Sequence, residues 1–424
     1  MRKTQIMLAD RINFTKIEDE KFNLSKISIN LITPLRSETA TENALLCYLL
    51  KNGCTKYPTQ TALNRQLGLM YGAILESDVR KSGDNQIISL SASCISDSFC
   101  IDNEHVTLNL SRLLCDVLLD PPLVNGLFPL ESVNLEKEML KDAILSNIND
   151  KRSYAIENAV KLSCQNEPFS VCSLGEIQNL DKITPETLKI RRQSLLSESA
   201  IEIIACGNKF DDEITAVFEN AFSKLKRTGS FIPQTAHSPF SPIKTEIEKM
   251  DVTQTKLVLV FKTKTAIPEN LHTSLTVMNT LYGGGAYSKL FTNVREKMSL
   301  CYYCSSICDK LKGILIADSG TLNTDSERAK NAMINEFKDI QNGVFTDEEL
   351  NNTKKALLTS YKAVTDSVGA LESWYFSQKV TGKVKTLEEQ MNDLNNVTRD
   401  DVIKTAKLFD LSLVYSLTGG GEDD

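Results

Sequence analysis

Hydrophobic positions along the chain change period several times, and the changes outline a series of short elements. In Lys21–Leu35, alternating Ile27, Ile29 and Leu31 predict a half-buried strand stopped near Pro34. Residues 40–51 (ATENALLCYLLK) are apolar over most of a helical surface, as in a buried helix. After a break at Asn52-Gly53, residues 59–71 resume a helical pattern. Strands are expected at Ala73–Arg80 and Gln86–Ser93, separated by Gly83-Asp84-Asn85 as a turn. Val106, Leu110, Leu113, Leu114, Val117 and Leu118 have amphipathic spacing, and Asp120-Pro121-Pro122 closes that helix. Residues 130–162 predict one long helical stretch, 185–197 another helix, and Ile201–Cys206 a fully apolar strand.

The second half repeats this order. Gln254–Lys262 predicts a strand, and Leu271–Leu281 a helix ending in Leu281-Tyr282-Gly283, as the earlier helix ends in Met70-Tyr71-Gly72. Strands at Tyr303–Cys308 and Gly313–Ser319 precede helices at Ser326–Gln341 and Thr346–Asp366. Tyr71 and Tyr282 stand 211 residues apart, and Asp150 and Asp366 216 apart. A nearly constant offset over several elements indicates a duplicated domain. The fold class expected is therefore α+β: two homologous tandem domains, each a mostly antiparallel sheet with helices packed on one face. Their expected spans are 1–228 and 249–424, joined by a proline-containing linker at 229–248.

Bulk composition narrows the function classes. Hydrophobic residues at 41% and charged residues at 24% are ordinary globular values. A net charge of −7 offers no broad basic face, so nucleic acid is not an expected partner. No run of about 18 apolar residues occurs, so no membrane span is expected. The opening MRKTQIMLADRINF lacks the apolar core of a secretory signal, and eleven cysteines read as free thiols, so a cytoplasmic location is expected.

The stretch 288–306, SKLFTNVREKMSLCYYCSS, closely resembles the pattern S-R-L-F-x-x-V-R-E-K-x-x-L-x-Y-x-x-x-S of the insulinase/pitrilysin (M16) zinc peptidases. Gly53-Cys54-Thr55-Lys56-Tyr57-Pro58-Thr59 resembles the segment that follows that family's metal-binding helix. The resemblance spans nearly the whole chain and implies the LuxS/MPP-like metallohydrolase fold. Active members carry H-x-x-E-H on that helix, two histidines on one helical face binding zinc and the glutamate serving as general base. Here the corresponding positions hold Ala44-Leu45-Leu46-Cys47-Tyr48, with Ala44 and Tyr48 in place of the histidines and Cys47 in place of the base. The third family ligand, a glutamate on the long helix, aligns with Ala143, beside Asp142 and Glu138. Only His105, His237 and His272 exist, and no two are four residues apart, so none rebuilds the motif. The chain is therefore expected to bind no metal or cofactor and to cleave no peptide alone.

Arg295 and Tyr302 match the arginine and tyrosine that the family places in its second domain. Both side chains can donate hydrogen bonds to a substrate carbonyl and its developing oxyanion. The resemblance implies a non-catalytic subunit of a heteromeric zinc endopeptidase. It would supply half of a peptide-binding chamber, and Arg295 and Tyr302 in trans, to an M16-like paralogue that carries H-x-x-E-H and the zinc. The alternative is a catalytically inactive scaffold or peptide-binding protein. Cys301-Tyr302-Tyr303-Cys304 is a C-x-x-C. Read as strand, its two thiols fall on opposite faces and do not form a pair.

Overall fold

The structure, a computed structural model, describes residues 1–101, 104–228, 235, 237, 242–381 and 384–419. The first part of the chain forms β1 (Arg2–Ala9), β2 (Ile12–Glu18), β3 (Leu24–Pro34), α1 (Ala40–Leu50), α2 (Gln60–Leu69), β4 (Ile74–Ser82) and β5 (Asn85–Ile95). It continues through α3 (Val106–Leu119), α4 (Leu130–Asn149), α5 (Lys151–Ser163), α6 (Pro185–Glu198), β6 (Ala200–Gly207) and α7 (Glu213–Phe222). The second part forms β7 (Lys244–Lys249), β8 (Thr255–Thr263), α8 (His272–Gly283), a π-helix at Leu290–Lys297, β9 (Tyr303–Asp309) and β10 (Ile314–Thr321). Five helices and a strand complete it: α9 (Ser326–Gln341), α10 (Asp347–Val364), α11 (Val368–Thr381), α12 (Leu387–Asn396), α13 (Arg399–Ala406) and β11 (Phe409–Thr418).

Two sheets share one topology. The first has the order β1-β2-β6-β3-β5-β4 and the second β7-β11-β8-β10-β9. In each, a central strand (β3 or β8) is antiparallel to both neighbours, and the last strand of the repeat (β6 or β11) takes a parallel partner (β2 or β7). The duplication inferred from sequence spacing thus recurs strand for strand, with β1 added at the edge of the first copy.

Each compact unit borrows from the other half of the sequence. One comprises Met1–Ile144, Val171–Gln234 and Val364–Val384, and the other Leu145–Ser170, Thr235–Ala363 and Lys385–Asp424. Alternation along the strands explains the exchange. In the first unit, Ile27, Ile29 and Leu31 of β3 pack into the main core with α1, α3 and α6. Ser28 and Asn30 face the opposite side, where α11 lies and Glu372 accepts a hydrogen bond from Ser28 Oγ at 2.6 Å. In the second unit, Leu257, Leu259 and Phe261 pack with α8, α9 and α13, while Val258 and Val260 pack under α5 through Ala155, Ala159 and Val160. Most helices therefore sit on one face of each sheet, and a single helix from the other half of the sequence covers the opposite face.

The helical stretch expected over 130–162 is two helices. Asp150 breaks it: its carboxylate accepts hydrogen bonds from the backbone N–H groups of Arg152 and Ser153 and caps α5. The stretch expected over 346–366 also stops early, at Val364, and α11 follows as a separate helix. Part of the 229–248 linker lies outside the described residues. Its end is strand, since β7 pairs in parallel with β11 from Lys244↔Leu413 onward. The acidic end at Gly421–Asp424 also lies outside the described residues. Among the described residues, no helix is long and apolar enough to cross a membrane.

Candidate functional site

The position of the family's metal helix is α1, in the first unit. Its residues are buried nearly all round, from Ala40 to Leu50. It is held on β5 by a hydrogen bond from Asn43 Nδ2 to Gln86 Oε1 (2.7 Å), and Gln86 Nε2 donates to the Ala40 carbonyl at 3.0 Å. The following turn requires Gly53, because a Cβ there would lie 2.6 Å from the Tyr57 carbonyl oxygen.

Ala44 is fully buried and brings no donor atom. Cys47 is fully buried too, and its Sγ points to the carbonyls of Asp78 on β4 (3.6 Å) and Ser89 on β5 (3.7 Å). Burial pushes its thiol up to about 12, so at neutral pH the sulfur is a protonated donor to backbone and not a thiolate ligand. Tyr48 is half-buried under the Lys51 ammonium, 4.7 Å from the ring centroid. Its phenol is raised above its ordinary value by burial first, then by Cys47, Glu136 and Asp78. On α4, Ala143 is half-buried, and Glu138 and Asp142 are exposed. The residues at these positions do not fit a zinc ion, which needs deprotonated nitrogen, sulfur or carboxylate donors converging on one point. Among the described residues, no group of three or more His, Cys, Asp or Glu side chains is placed to hold a metal.

The carboxylate of α4 that does face α1 is Glu136, 5% exposed, which accepts a hydrogen bond from Asn52 Nδ2 at 2.6 Å. Sequence reading missed both residues. The signal available was helical phase: Glu136 is in step with Val133 and Leu140, which are buried, whereas Glu138 and Asp142 are not. Of the histidines, His105 contacts Asp211 at 3.0 Å on the surface, and His272 contacts the Ile267 carbonyl at 3.2 Å at the start of α8. His237 lies within the 229–248 span.

Arg295 and Tyr302 belong to the second unit. Leu290 and Val294 of the π-helix are fully buried and anchor it. Arg295 lies beyond that anchor, its guanidinium over the Phe291 ring at 4.7 Å and its Nε 3.7 Å from Glu296 Oε1. Its side chain is 39% exposed. The chain then turns through Ser299, at a left-handed φ of 54°, with Leu300 N–H donating to the Val294 carbonyl. Tyr302 N–H donates to the Gly320 carbonyl at 2.9 Å, fixing the backbone while the side chain stays 56% exposed. Tyr303 points elsewhere: its ring lies against Gly320, where a Cβ would come within 2.4 Å of it, and under Arg152 at 4.5 Å.

The C-x-x-C reading is corrected. Cys301 precedes β9, so strand alternation does not govern it. It packs, half-buried, against the core to which Cys304 belongs.

These observations agree with a match of residues 182–357 to the family described as "Peptidase M16 inactive domain". Over those residues the chain is similar to M16 proteins, and along its length it resembles an M16-like relative and M16-like folds. It is 27% identical over 95% of its length, and 95% of the relative's, to "Probable inactive metalloprotease YmfF" of Bacillus subtilis. Its fold matches a conserved protein from Enterococcus faecalis with a TM-score of 0.89 at 27% identity, covering all of both chains. It also matches a peptidase M16 inactive domain from Pseudomonas fluorescens with a TM-score of 0.80 at 18% identity, covering 100% and 99%.

Proposed function

We propose that this chain is the non-catalytic subunit of a cytoplasmic two-chain zinc endopeptidase. It supplies half of a peptide-binding chamber to an M16-like paralogue that carries H-x-x-E-H and zinc. Arg295 and Tyr302 donate in trans to the carbonyl of the bound peptide. The observation that carries this reading is a contrast within one short segment. Leu290, Val294 and the Tyr302 N–H are locked into the fold, while the Arg295 and Tyr302 side chains are offered to solvent. A tyrosine kept only for packing would be expected to bury its ring, as Tyr282 does. The exposed edge strand β4 supports the peptide-binding part, since a free edge accepts an extended peptide by strand addition.

The second reading, an inactive scaffold or peptide-binding protein, is favoured by the empty chemistry of Ala44, Cys47, Tyr48 and Ala143 and by the word "inactive" in the relatives' names. Peptide cleavage by mixtures of this chain with each M16-like paralogue of the same cell separates the two. Cleavage that needs both chains supports the first. A complex that forms without cleavage, or no complex with any paralogue, supports the second.

A further inference from the structure

Where β4 begins, the first unit holds a cavity lined by none of the four lost zinc positions. Its volume is about 470 Å³, within the roughly 300–1,000 Å³ usual for ligand pockets. Leu63 and Leu67, both buried on α2, supply apolar lining. Ala73, Ile74 and Leu75 line it as well, so the cavity adjoins the free edge of β4 at the start of that strand.

The polar lining is one-sided. Lys51, just after α1, and the amides of Gln60 and Asn64 contribute donors, and among the described residues no carboxylate lines the cavity. The Lys51 side chain is half-buried, its ammonium over the Tyr48 ring, and it has no ion-pair partner among the described residues. An ammonium without a counter-charge suits a carboxylate guest, which accepts its hydrogen bonds. Gly68 is an independent sign that the space is kept open. It lies within α2, its φ is not left-handed, and a Cβ there would meet nothing within 4 Å. Neither backbone nor neighbours require a glycine, and glycine weakens a helix relative to alanine.

The strand sets the direction of a guest. On the side before Ile74 the chain leaves the edge through Tyr71 and Gly72, at φ of 57° and 71°, so the edge ends at the cavity. A peptide paired antiparallel with β4 has its carboxyl end there, and a parallel one its amino end. A cation with no carboxylate beside it rejects an amino end and accepts a carboxyl end.

We infer that the β4 edge and this cavity capture the carboxyl-terminal segment of a peptide, added antiparallel to β4 with its terminal carboxylate on Lys51. The inference rests on the reading above that the free edge of β4 takes an extended peptide. It adds what that edge selects: a free carboxyl end, such as peptide-bond hydrolysis leaves.

The test uses the folded full-length chain and pools of fluorescein-labelled, random-sequence octapeptides, followed by fluorescence anisotropy. One pool has free carboxyl ends and one has carboxamide ends. The free-acid pool should bind at least about tenfold more tightly, the effect of one hydrogen bond to a charged group. A third pool, amidated but with one fixed internal glutamate, should bind like the plain amide pool. Lys51→Met should bring the free-acid pool to the amide level and leave the amide pool unchanged. Gly68→Leu should weaken the free-acid pool while the urea midpoint does not fall. Free-acid and amide pools bound alike would overturn the carboxylate site and leave the strand edge in use. An internal-glutamate pool that matches the free-acid pool, or a free-acid preference that survives Lys51→Met, would also overturn it. No binding of any pool would remove both the site and the strand-edge reading. The wild-type comparison decides without any variant.

Discussion

Ser28 on β3 donates a 2.6 Å hydrogen bond to Glu372 on α11, joining residues 344 positions apart in sequence. Asn30 Nδ2 extends the chain by donating to Ser28 Oγ at 3.0 Å, and Ser89 Oγ donates to Asn30 Oδ1 at 2.6 Å. All four residues are buried. Ser28→Ala leaves the carboxylate short of a buried donor, a loss of about 1–3 kcal/mol. Urea unfolding should show a lower midpoint; an unchanged midpoint would mean the network contributes nothing.

The exchange of helices makes a second prediction. Leu371, Tyr375 and Phe376 of α11 are 0–3% exposed in the first unit. A chain cut to residues 1–228 lacks them and leaves one face of its sheet bare. It should give no cooperative unfolding transition, and adding a 364–384 peptide should partly restore one. A fully cooperative 1–228 fragment would show that α11 is dispensable.

In the second unit, Glu167 takes both Lys262 (2.7 Å) and Lys312 (2.6 Å), and all three are buried. Burial alone would raise this carboxyl, yet the hydrogen bonds and charges of the two lysines hold it below its ordinary value. A depressed folded-state value means stability that is present above the unfolded value of about 4.5 and is lost as pH falls through the folded one. Glu167→Gln removes the carboxylate that the two buried ammonium groups share and should destabilise by about 3–5 kcal/mol at neutral pH. Below pH 4 the difference from wild type should shrink. A difference that is constant from pH 3 to 7 would rule out this origin.

Metal content tests the fate of the zinc position. With Ala44 and Ala143 lacking donors and Cys47 donating to backbone, the purified chain should hold no stoichiometric zinc. Cys47 should also resist maleimide in the folded state and react once the chain is unfolded. One zinc per chain that is lost on Cys47→Ala would contradict this.

Legibility in the sequence followed how far each feature depends on local pattern. β3, α1, α3 and α8 were readable because apolar spacing alone decides them. The β1–β2 hairpin and β7 were not: β1 and β7 are largely exposed and carry little alternation, and β2 and β7 are held by the distant strands β6 and β11. Repetition of the two halves was visible, but not that α5 and α11 cover sheets of the opposite halves, because periodicity shows that a helix has an apolar face without saying which sheet receives it. Motif register alone assigned the zinc positions to Ala44, Cys47, Tyr48 and Ala143. Glu136 and Asn52 were missed because a motif lacking its ligands gives no landmark for the carboxylate that faces them. The placement of Cys301 was misread by assuming strand alternation two residues before β9 begins.

The in-trans role proposed for Arg295 and Tyr302 is the central claim, and one measurement addresses it directly. The chain is mixed with a zinc-bearing M16-like paralogue with which it forms an active complex, and peptide turnover is compared for wild type, Arg295→Ala and Tyr302→Phe. Loss of one oxyanion donor typically lowers turnover about 100–1000-fold, less where the group also contributes to substrate binding. Turnover should fall by at least roughly tenfold for each variant, while size-exclusion chromatography shows the same complex as wild type. Variants that assemble normally and cleave at the wild-type rate would contradict the role and leave the inactive scaffold as the better account.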